Sequence, residues 1–400
     1  MSLLADASRP STFFALLASL SLTTVPTFAQ DPPPVPPDAA STSTEAVPPS
    51  DEPHVRLGAT IFANYTYNEA PTSLDTDGNT IHPSSFDITR AYINVTGSIN
   101  HFIAYRVTPD VSRQTTTLTG GPSGEKVSTS NDGSLLFRLK YAFGQFSLDN
   151  VVTKGSWVRV GLSQSPWIEY YETTYRYRFQ GKTWLDNEGY LSTADFGVYA
   201  RVVAPNDYGD VIVAYDNGDG FTKADPNDQK GYQIRGSLRP FPKQEIAKGF
   251  RVAAFYDGDN YVQNGDRKRF VAEASFQHPY LDAGVDYLDA KDAPSAKGPD
   301  VHGRGYSIFL NPKTAIGIEG LFRFDHIQPN ATYDASKRHT IAGLAYWFKV
   351  KRGGDTAAAL MADYEQVSYD TLPSGAVQSP IVALSRPLEK RYSIHTLFSF

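Results

Sequence analysis

Cationic side chains fall on alternate residues of several strand-like segments in this chain of 400 residues. Successive side chains of a β-strand point to opposite faces, so residues of equal parity share a face. The bases that share the more polar face are Arg90, Arg106, Arg138, Lys140, Arg159, Arg201 and Arg235. Because rings of cationic side chains along a wet passage favour anions, this pattern predicts a pore-lining, anion-binding wall.

Acidic residues take over the same face on later segments, at Asp282, Asp286, Glu319, Asp363 and Glu365. A basic wall would then face a more acidic one. The alternative is that the bases only solvate the wall, or pair with Asp and Glu across it.

A second cationic group lies in residues 165–194, the longest connection between strand-like segments. Its bases are Arg176, Arg178 and Lys182, and they stand among Tyr170, Tyr171, Tyr175 and Tyr177. So aromatic a loop is expected to be ordered, and loops this long are commonly functional. We expect it to constrict a passage, with an outer lid as the alternative. Tyrosine faces beside arginine would also suit sugar rings, which leaves a saccharide-favouring channel open.

Catalytic and metal chemistry find little support in the sequence. The chain has no cysteine, and its eight histidines show no metal-ligand spacing. It contains neither a Gly-x-Ser-x-Gly turn nor a phosphate-binding loop. The acidic segments 75–79, 216–220 and 257–260 partly resemble calcium loops, but turn chemistry explains them as well. We expect no enzyme, metal or cofactor, and the net charge of -6 argues against nucleic acid.

The elements that must position these side chains are β-strands. Apolar and mixed residues alternate from Val55 onwards, and the pattern recurs often enough to predict sixteen strands. Their expected ranges are 55–67, 86–98, 101–112, 135–148, 156–164, 195–204, 209–216, 231–239, 249–257, 268–277, 280–288, 303–310, 314–325, 338–348, 355–367 and 389–400. For residues 355–363, a helix is the alternative prediction.

Short turns and long polar connections alternate between these strands, without exception in this assignment. The predicted long connections include 68–85, 165–194 and 258–267. Short periplasmic turns and longer outer loops are typical of an all-β, transmembrane antiparallel β-barrel. Its apolar face would meet lipid, with Tyr67, Tyr256, Tyr287 and Trp347 as interfacial aromatics, and its polar face would line a wide aqueous lumen.

The N-terminal region predicts export. Residues 12–22 form a short apolar stretch, and Thr27-Phe28-Ala29 suits cleavage before Gln30. We therefore divide the chain into a signal peptide (1–29), a Pro-rich linker (30–53) and the barrel (54–400). A buried N-terminal helix is the alternative for the first part. The linker should be an extended or disordered spacer, although it could bind a partner domain or the cell wall.

Several segments resemble the phosphate-selective porin O and P family of bacterial outer-membrane channels. They are FDITRAYINVTG at 86–97, YRVTPD at 105–110, LKYAF at 139–143, VRVGLSQ at 158–164, DFGVYA at 195–200 and YDNGDG at 215–220. The resemblance implies a homotrimer of sixteen-stranded barrels in outer-membrane lipid, a third outer loop folded inward, and passive, often anion-favouring diffusion of small hydrophilic solutes. Phosphate selectivity belongs to particular members, and here the linker is Pro-rich rather than coiled-coil. An outer-membrane adhesion or structural barrel is the alternative of another class.

Two measurements test the predicted processing and location. We expect the mature protein to begin at Gln30, and the folded barrel to change its gel mobility on boiling. N-terminal sequencing and paired heated and unheated gels of outer-membrane fractions would show both. Recovery of a soluble periplasmic species with unchanged mobility would contradict the prediction.

Overall fold

The computed structural model describes residues 51–113, 134–222, 225, 228–349 and 356–400. These residues belong to one compact unit. The predicted signal peptide, its cleavage site and most of the Pro-rich linker lie outside the described residues.

Sixteen antiparallel strands form one closed barrel. They are β1 His54–Ala70, β2 Ser84–Ser98, β3 Ile103–Arg113, β4 Leu135–Ser147, β5 Trp157–Gln164, β6 Ala194–Val203, β7 Gly209–Asp216, β8 Gly231–Leu238, β9 Phe250–Val262, β10 Gly265–His278, β11 Leu281–Asp292, β12 Val301–Pro312, β13 Ile318–Gln328, β14 Lys337–Trp347, β15 Ala357–Tyr369 and β16 Glu389–Ser399. The predicted all-β transmembrane barrel of sixteen strands is confirmed. Residues 357–363, for which a helix is the alternative prediction, belong to strand β15.

The ring closes because β1 pairs with β2 on one side and with β16 on the other. Register partners across this seam run from Thr60 with Ser399 to Ala70 with Lys390. Phe400 extends it, accepting the Ala59 N–H at 2.8 Å and donating its own N–H to Ala59 at 3.0 Å. A closed ring lets each strand satisfy its neighbour's backbone groups, as a membrane barrel requires.

The two rims of the barrel differ. The turn rim carries the connections 99–102, 148–156, 204–208, 239–249, 279–280 and 313–317. The loop rim carries 71–83, 165–193, 217–230, 263–264, 293–300, 329–336 and 370–388. Within 71–83, residues Ser73–Leu74 and Thr80–Ile81 form a small hairpin.

The prediction that short and long connections alternate without exception is wrong. The predicted long connection 258–267 is a two-residue turn, because β9 runs on to Val262 and β10 starts at Gly265. Asn264 adopts φ 63°, the left-handed conformation that tight hairpin turns need. The turn-rim connection 239–249 is longer than this loop-rim turn.

Side-chain parity divides the wall into an outer and an inner face. In β12 exposure alternates over the whole strand: Ile308 and Leu310 point outward and are 43% exposed, whereas Ser307 and Phe309 point inward and are buried. Val213, Val285, Phe322 and Phe398 are similarly exposed apolar residues on other strands. No helix among the described residues is both long and apolar enough to cross a membrane.

The inner face is less polar than predicted. Buried apolar side chains occupy it on the second half of the barrel, at Phe255, Val271, Leu288, Phe309, Ile341, Trp347 and Leu397. Tyr67 and Tyr287 are exposed on the outer face, but the prediction that Trp347 belongs to the lipid-facing aromatics is wrong. Trp347 shares the parity of the buried Ile341 and packs inside the barrel.

A register shift in β4 also changes the inner face. Pairing with β3 jumps from Thr108–Tyr141 to Pro109–Leu139, so Lys140 is an extra residue. Lys140 and Tyr141 are therefore both buried on the inside, and Phe143 and Gln145 follow Tyr141 inward.

A charge on the outer face tests which side meets lipid. Val285 lies near the middle of β11, so Val285→Arg in lipid vesicles should destabilise the barrel by about 2–4 kcal/mol. Asp289→Arg, on the same face but nearer the loop rim, should cost roughly 0–1 kcal/mol. Urea unfolding in vesicles measures both, and equal costs would show that the outer face does not meet a bilayer core.

Candidate functional site

Residues 165–193, here called the inner loop, connect β5 to β6. The Ser165 N–H donates to the Thr193 carbonyl at 3.1 Å, which joins the two ends of the loop. It contains two short helices, α1 (Pro166–Tyr171) and α2 (Trp184–Asn187). Pro166 suits the first position of α1, because the N–H that proline lacks has no partner there in any helix.

The inner loop follows the inside of the wall from β9 to β1. Trp167 packs on Phe255 of β9, with ring centroids 5.8 Å apart, and Tyr175 on Phe309 of β12 at 5.3 Å. Phe179 then contacts Trp347 of β14 at 5.6 Å and Phe62 of β1 at 6.5 Å. The loop therefore lies within the barrel, and the alternative of an outer lid is wrong.

The four predicted loop tyrosines are part of this packing. Tyr170 is 6% exposed, Tyr171 1%, and Tyr175 and Tyr177 0%. The ring of Phe309 lies over Gly284, where a Cβ would come within 2.4 Å of that ring. Tyr171 and Tyr175 both pack against the same ring. These tyrosines hold the loop to the wall and offer no open ring faces to a sugar.

Hydrogen bonds fix the loop between its aromatic contacts. Arg323 of β13 donates to the Tyr175 hydroxyl at 3.2 Å and to the Lys182 carbonyl at 3.0 Å. The Tyr177 hydroxyl donates to Glu319 at 2.9 Å, and Gln277 donates to the Thr173 carbonyl at 2.7 Å. Polar and apolar contacts thus hold the same segment against β10, β12 and β13.

Seven of the ten predicted bases form ion pairs among the described residues. On the wall, Arg138 pairs with Asp110 at 3.0 Å, Arg159 with Glu169 at 2.9 Å, and both Arg201 and Arg235 with Asp210. In the loop, Arg176 pairs with Glu319 at 3.4 Å, Arg178 with Glu172 at 2.8 Å and Asp186 at 3.3 Å, and Lys182 with Asp186 at 3.4 Å. The alternative of paired charges therefore describes most of this wall.

The other three bases have different partners. Arg106 donates to Asn94 and Thr108, each at 3.0 Å, and lies 4.6 Å from the centre of the Tyr141 ring. Lys140 donates to the Tyr92 hydroxyl at 3.2 Å, and Arg90 to the carbonyl of Thr89 at 3.1 Å.

The loop brings further charge to this sector of the wall, which lies on β2–β4. We call Arg90, Arg106, Lys140, Arg178 and Lys182 the cationic cluster. Its acids are Glu172 and Asp186, and Asp110 of β3, which pairs with Arg138, also lies near Lys140. Burial raises the pKa of Glu172, although Arg178 and Lys140 oppose it. Burial acts the same way on Asp186, but the charges of Arg178 and Lys182 outweigh it and lower its pKa. Bases outnumber acids here.

Exposure separates the bases that solvent reaches from those that it does not. The Lys182 side chain is 46% exposed, Arg201 35% and Arg138 30%, and Arg90 is half-buried. Arg106, Lys140, Arg159, Arg235, Arg176 and Arg178 are buried.

The acidic partners are the functional residues that sequence reasoning missed. Asp110 lies directly opposite Arg138 in the β3–β4 register. Asp210 of β7 is opposite Ser237, one position along the same face from Arg235. Strand register would have revealed both, because cross-strand and diagonal neighbours lie within reach.

The acidic turn segments show ordinary turn and ion-pair contacts. Asp75 accepts the N–H groups of Asp77 and Asn79 at 3.0 and 2.8 Å. Asp259 pairs with Arg267 at 3.1 Å. Within the described part of the chain, no group of three or more His, Cys, Asp or Glu side chains is arranged to hold a metal ion.

The closed sixteen-strand ring with a loop inside it is the fold of bacterial outer-membrane porins. Salmonella typhi OmpF, in complex with daunomycin, superimposes with a TM-score of 0.57 at 13% identity, over 88% of this chain and 98% of that one. An anion-selective porin from Comamonas acidovorans gives 0.56 at 11% identity, over 87% and 100%. OmpT, an outer membrane protein of Vibrio cholerae solved as a trimer, gives 0.56 at 13%, over 88% and 100%.

These likenesses concern the fold. No family model matches the chain, and no curated protein sequence does.

Removing Arg178 tests the charge network of the loop. Arg178→Ala leaves the buried carboxylates of Glu172 and Asp186 without their shared base and should destabilise the protein by about 3–5 kcal/mol. Lys182→Ala, a matched loop base that is largely solvated, should cost about 0–1 kcal/mol. Denaturant unfolding in detergent gives both values, and a small loss for Arg178→Ala would mean that the network contributes little.

Proposed function

We propose that this protein is an outer-membrane porin through which small hydrophilic solutes diffuse passively. The inner loop carries the proposal: its aromatic side chains pack inside the barrel from β9 to β1 and so narrow the lumen. A loop packed on the wall in this way limits the width of a passage without needing a cofactor or a catalytic group.

Membership of the phosphate-selective porin O and P family, export by a cleaved signal peptide (1–29) and assembly as a homotrimer are parts of the same proposal. The apolar outer face supports a location in outer-membrane lipid, and the trimer form of the Vibrio cholerae OmpT structure supports the trimer. The Pro-rich linker (30–53) would then lie on the periplasmic side.

A modest preference for anions, phosphate among them, is the finer part of the proposal. The cationic cluster supports it, since its bases outnumber its acids and two of them, Arg90 and Lys182, are open to solvent. The preference should be modest, because seven of the ten predicted bases, including Arg178 and Lys182 of the cluster, are paired with carboxylates. The anion-selective porin of Comamonas acidovorans shows that this fold can carry such selectivity.

Replacing cluster bases tests the preference. Arg90→Gln with Lys140→Gln should move the reversal potential in a salt gradient towards cation selectivity, and more strongly at low salt, where screening is weaker. Neither substitution breaks an ion pair seen in the described residues. Arg304→Gln, on the exposed face of β12, is the matched control and should leave the potential unchanged.

An unchanged potential in the double variant would remove the cluster as the source of selectivity. If the purified protein gave no conductance in planar bilayers, the channel itself would be refuted in favour of an adhesion or structural barrel.

A further inference from the structure

Two acidic side chains meet inside the barrel without a base between them. Glu273 of β10 and Asp286 of β11 are direct register partners. Glu273 is 4% exposed and Asp286 0%. Among the described residues, no base forms an ion pair with either carboxyl group, and the polar groups within hydrogen-bond reach of the two are each other, Ser275 and the Tyr171 hydroxyl. We call these residues the carboxyl pair.

Helix α1 of the inner loop lies on the carboxyl pair. The Tyr170 hydroxyl lies beside the Ser275 hydroxyl, and the Tyr171 hydroxyl lies within hydrogen-bond reach of Asp286. Burial and then the charge of Glu273 raise the pKa of Tyr170, and burial and then Asp286 raise that of Tyr171. Each tyrosine therefore faces one carboxyl group.

The arginines facing the pair are bound elsewhere. Arg235 of β8 is held by Asp210, and Arg323 of β13 by Asp325 at 2.9 Å. Arg251 of β9, opposite Ser275, donates to Thr173 of the loop at 3.5 Å. Asp325 adds a further negative charge on the side of Asp286.

Two ionised carboxylates in these positions would be costly. Buried charges need a partner, and like charges at directly opposed strand positions repel each other. One proton resolves both difficulties, because a protonated carboxyl donates a hydrogen bond to the carboxylate beside it.

We propose that Glu273 and Asp286 share a proton, and that this proton positions helix α1 against the wall. They are positioning residues for the inner loop. When the loop leaves the wall, the pair becomes hydrated and releases the proton. The docked loop thus binds more protons than the released loop, so docking is complete at low pH and weakens as pH rises. In the proposed porin, the width of the passage would then follow pH.

Hydrogen exchange of the full-length protein in lipid vesicles measures docking without requiring conduction. Helix α1 and its following turn contain the backbone bonds Glu172 N–H to Ile168 and Tyr175 N–H to Tyr171. Between about pH 5 and pH 9, their protection, corrected for intrinsic exchange, should fall by up to roughly tenfold per pH unit once the shared proton is lost. Conductance over the same range shows whether the passage follows.

Two single variants and a control identify the groups responsible. Glu273→Gln and Asp286→Asn each leave an amide that donates to the remaining carboxylate at every pH, so the protection of α1 should lose its pH dependence. Asp289→Asn, on the exposed face of the same strand as Asp286, should retain the wild-type pH profile.

Wild-type protection that does not change with pH would overturn the proposal, and this result needs no variant to fold. A pH profile retained in both amide variants would overturn it as well. So would release of the loop by a calcium chelator at constant pH, since the pair would then hold a metal ion. If α1 responds to pH but the protein does not conduct, the inference stands and the proposed function fails.

Discussion

Apolar packing between the inner loop and one half of the barrel wall is the contact on which the rest of this structure depends. Loop residues such as Trp167 and Phe179 meet wall residues such as Phe255 and Trp347, and all four are at most 3% exposed. Burying aromatic side chains of this size is a large favourable term. It holds the loop inside the lumen, and it decides which side chains of the wall are buried.

The arrangement of charge follows from that packing. A loop pressed against the wall excludes water from the bases near it, and buried bases need carboxylate partners. Arg323 with Asp325 and Arg178 with Glu172 meet this need at 2.9 and 2.8 Å. A surplus of positive charge remains where the loop faces β2–β4. In the proposed porin, selectivity would therefore depend on which charges are left over, more than on how many bases point inward.

The strands could be predicted from the sequence because alternation is local: in β12, neighbours such as Ile308 and Phe309 differ in face whatever lies around them. The loop within the lumen could be expected from its length and aromatic content. The inward Trp347 could not be assigned in the same way, because an apolar residue on a polar face makes sense only once the loop beside it is known. Lys140 was placed inward by parity, but the register shift there depends on pairing with β3. The partners of the bases likewise depend on register between strands.

The seam between β1 and β16 pairs residues from opposite ends of the folded chain, such as Thr60 with Ser399. No other strand pairing in the ring joins residues so far apart in the sequence, and contacts between such residues form slowly. Phe179 of the inner loop touches Phe62 on one side of that seam, and the cluster that it joins includes Leu397 on the other. A docked loop therefore adds aromatic contacts on both sides of the seam and stabilises the pairing of the first and last strands.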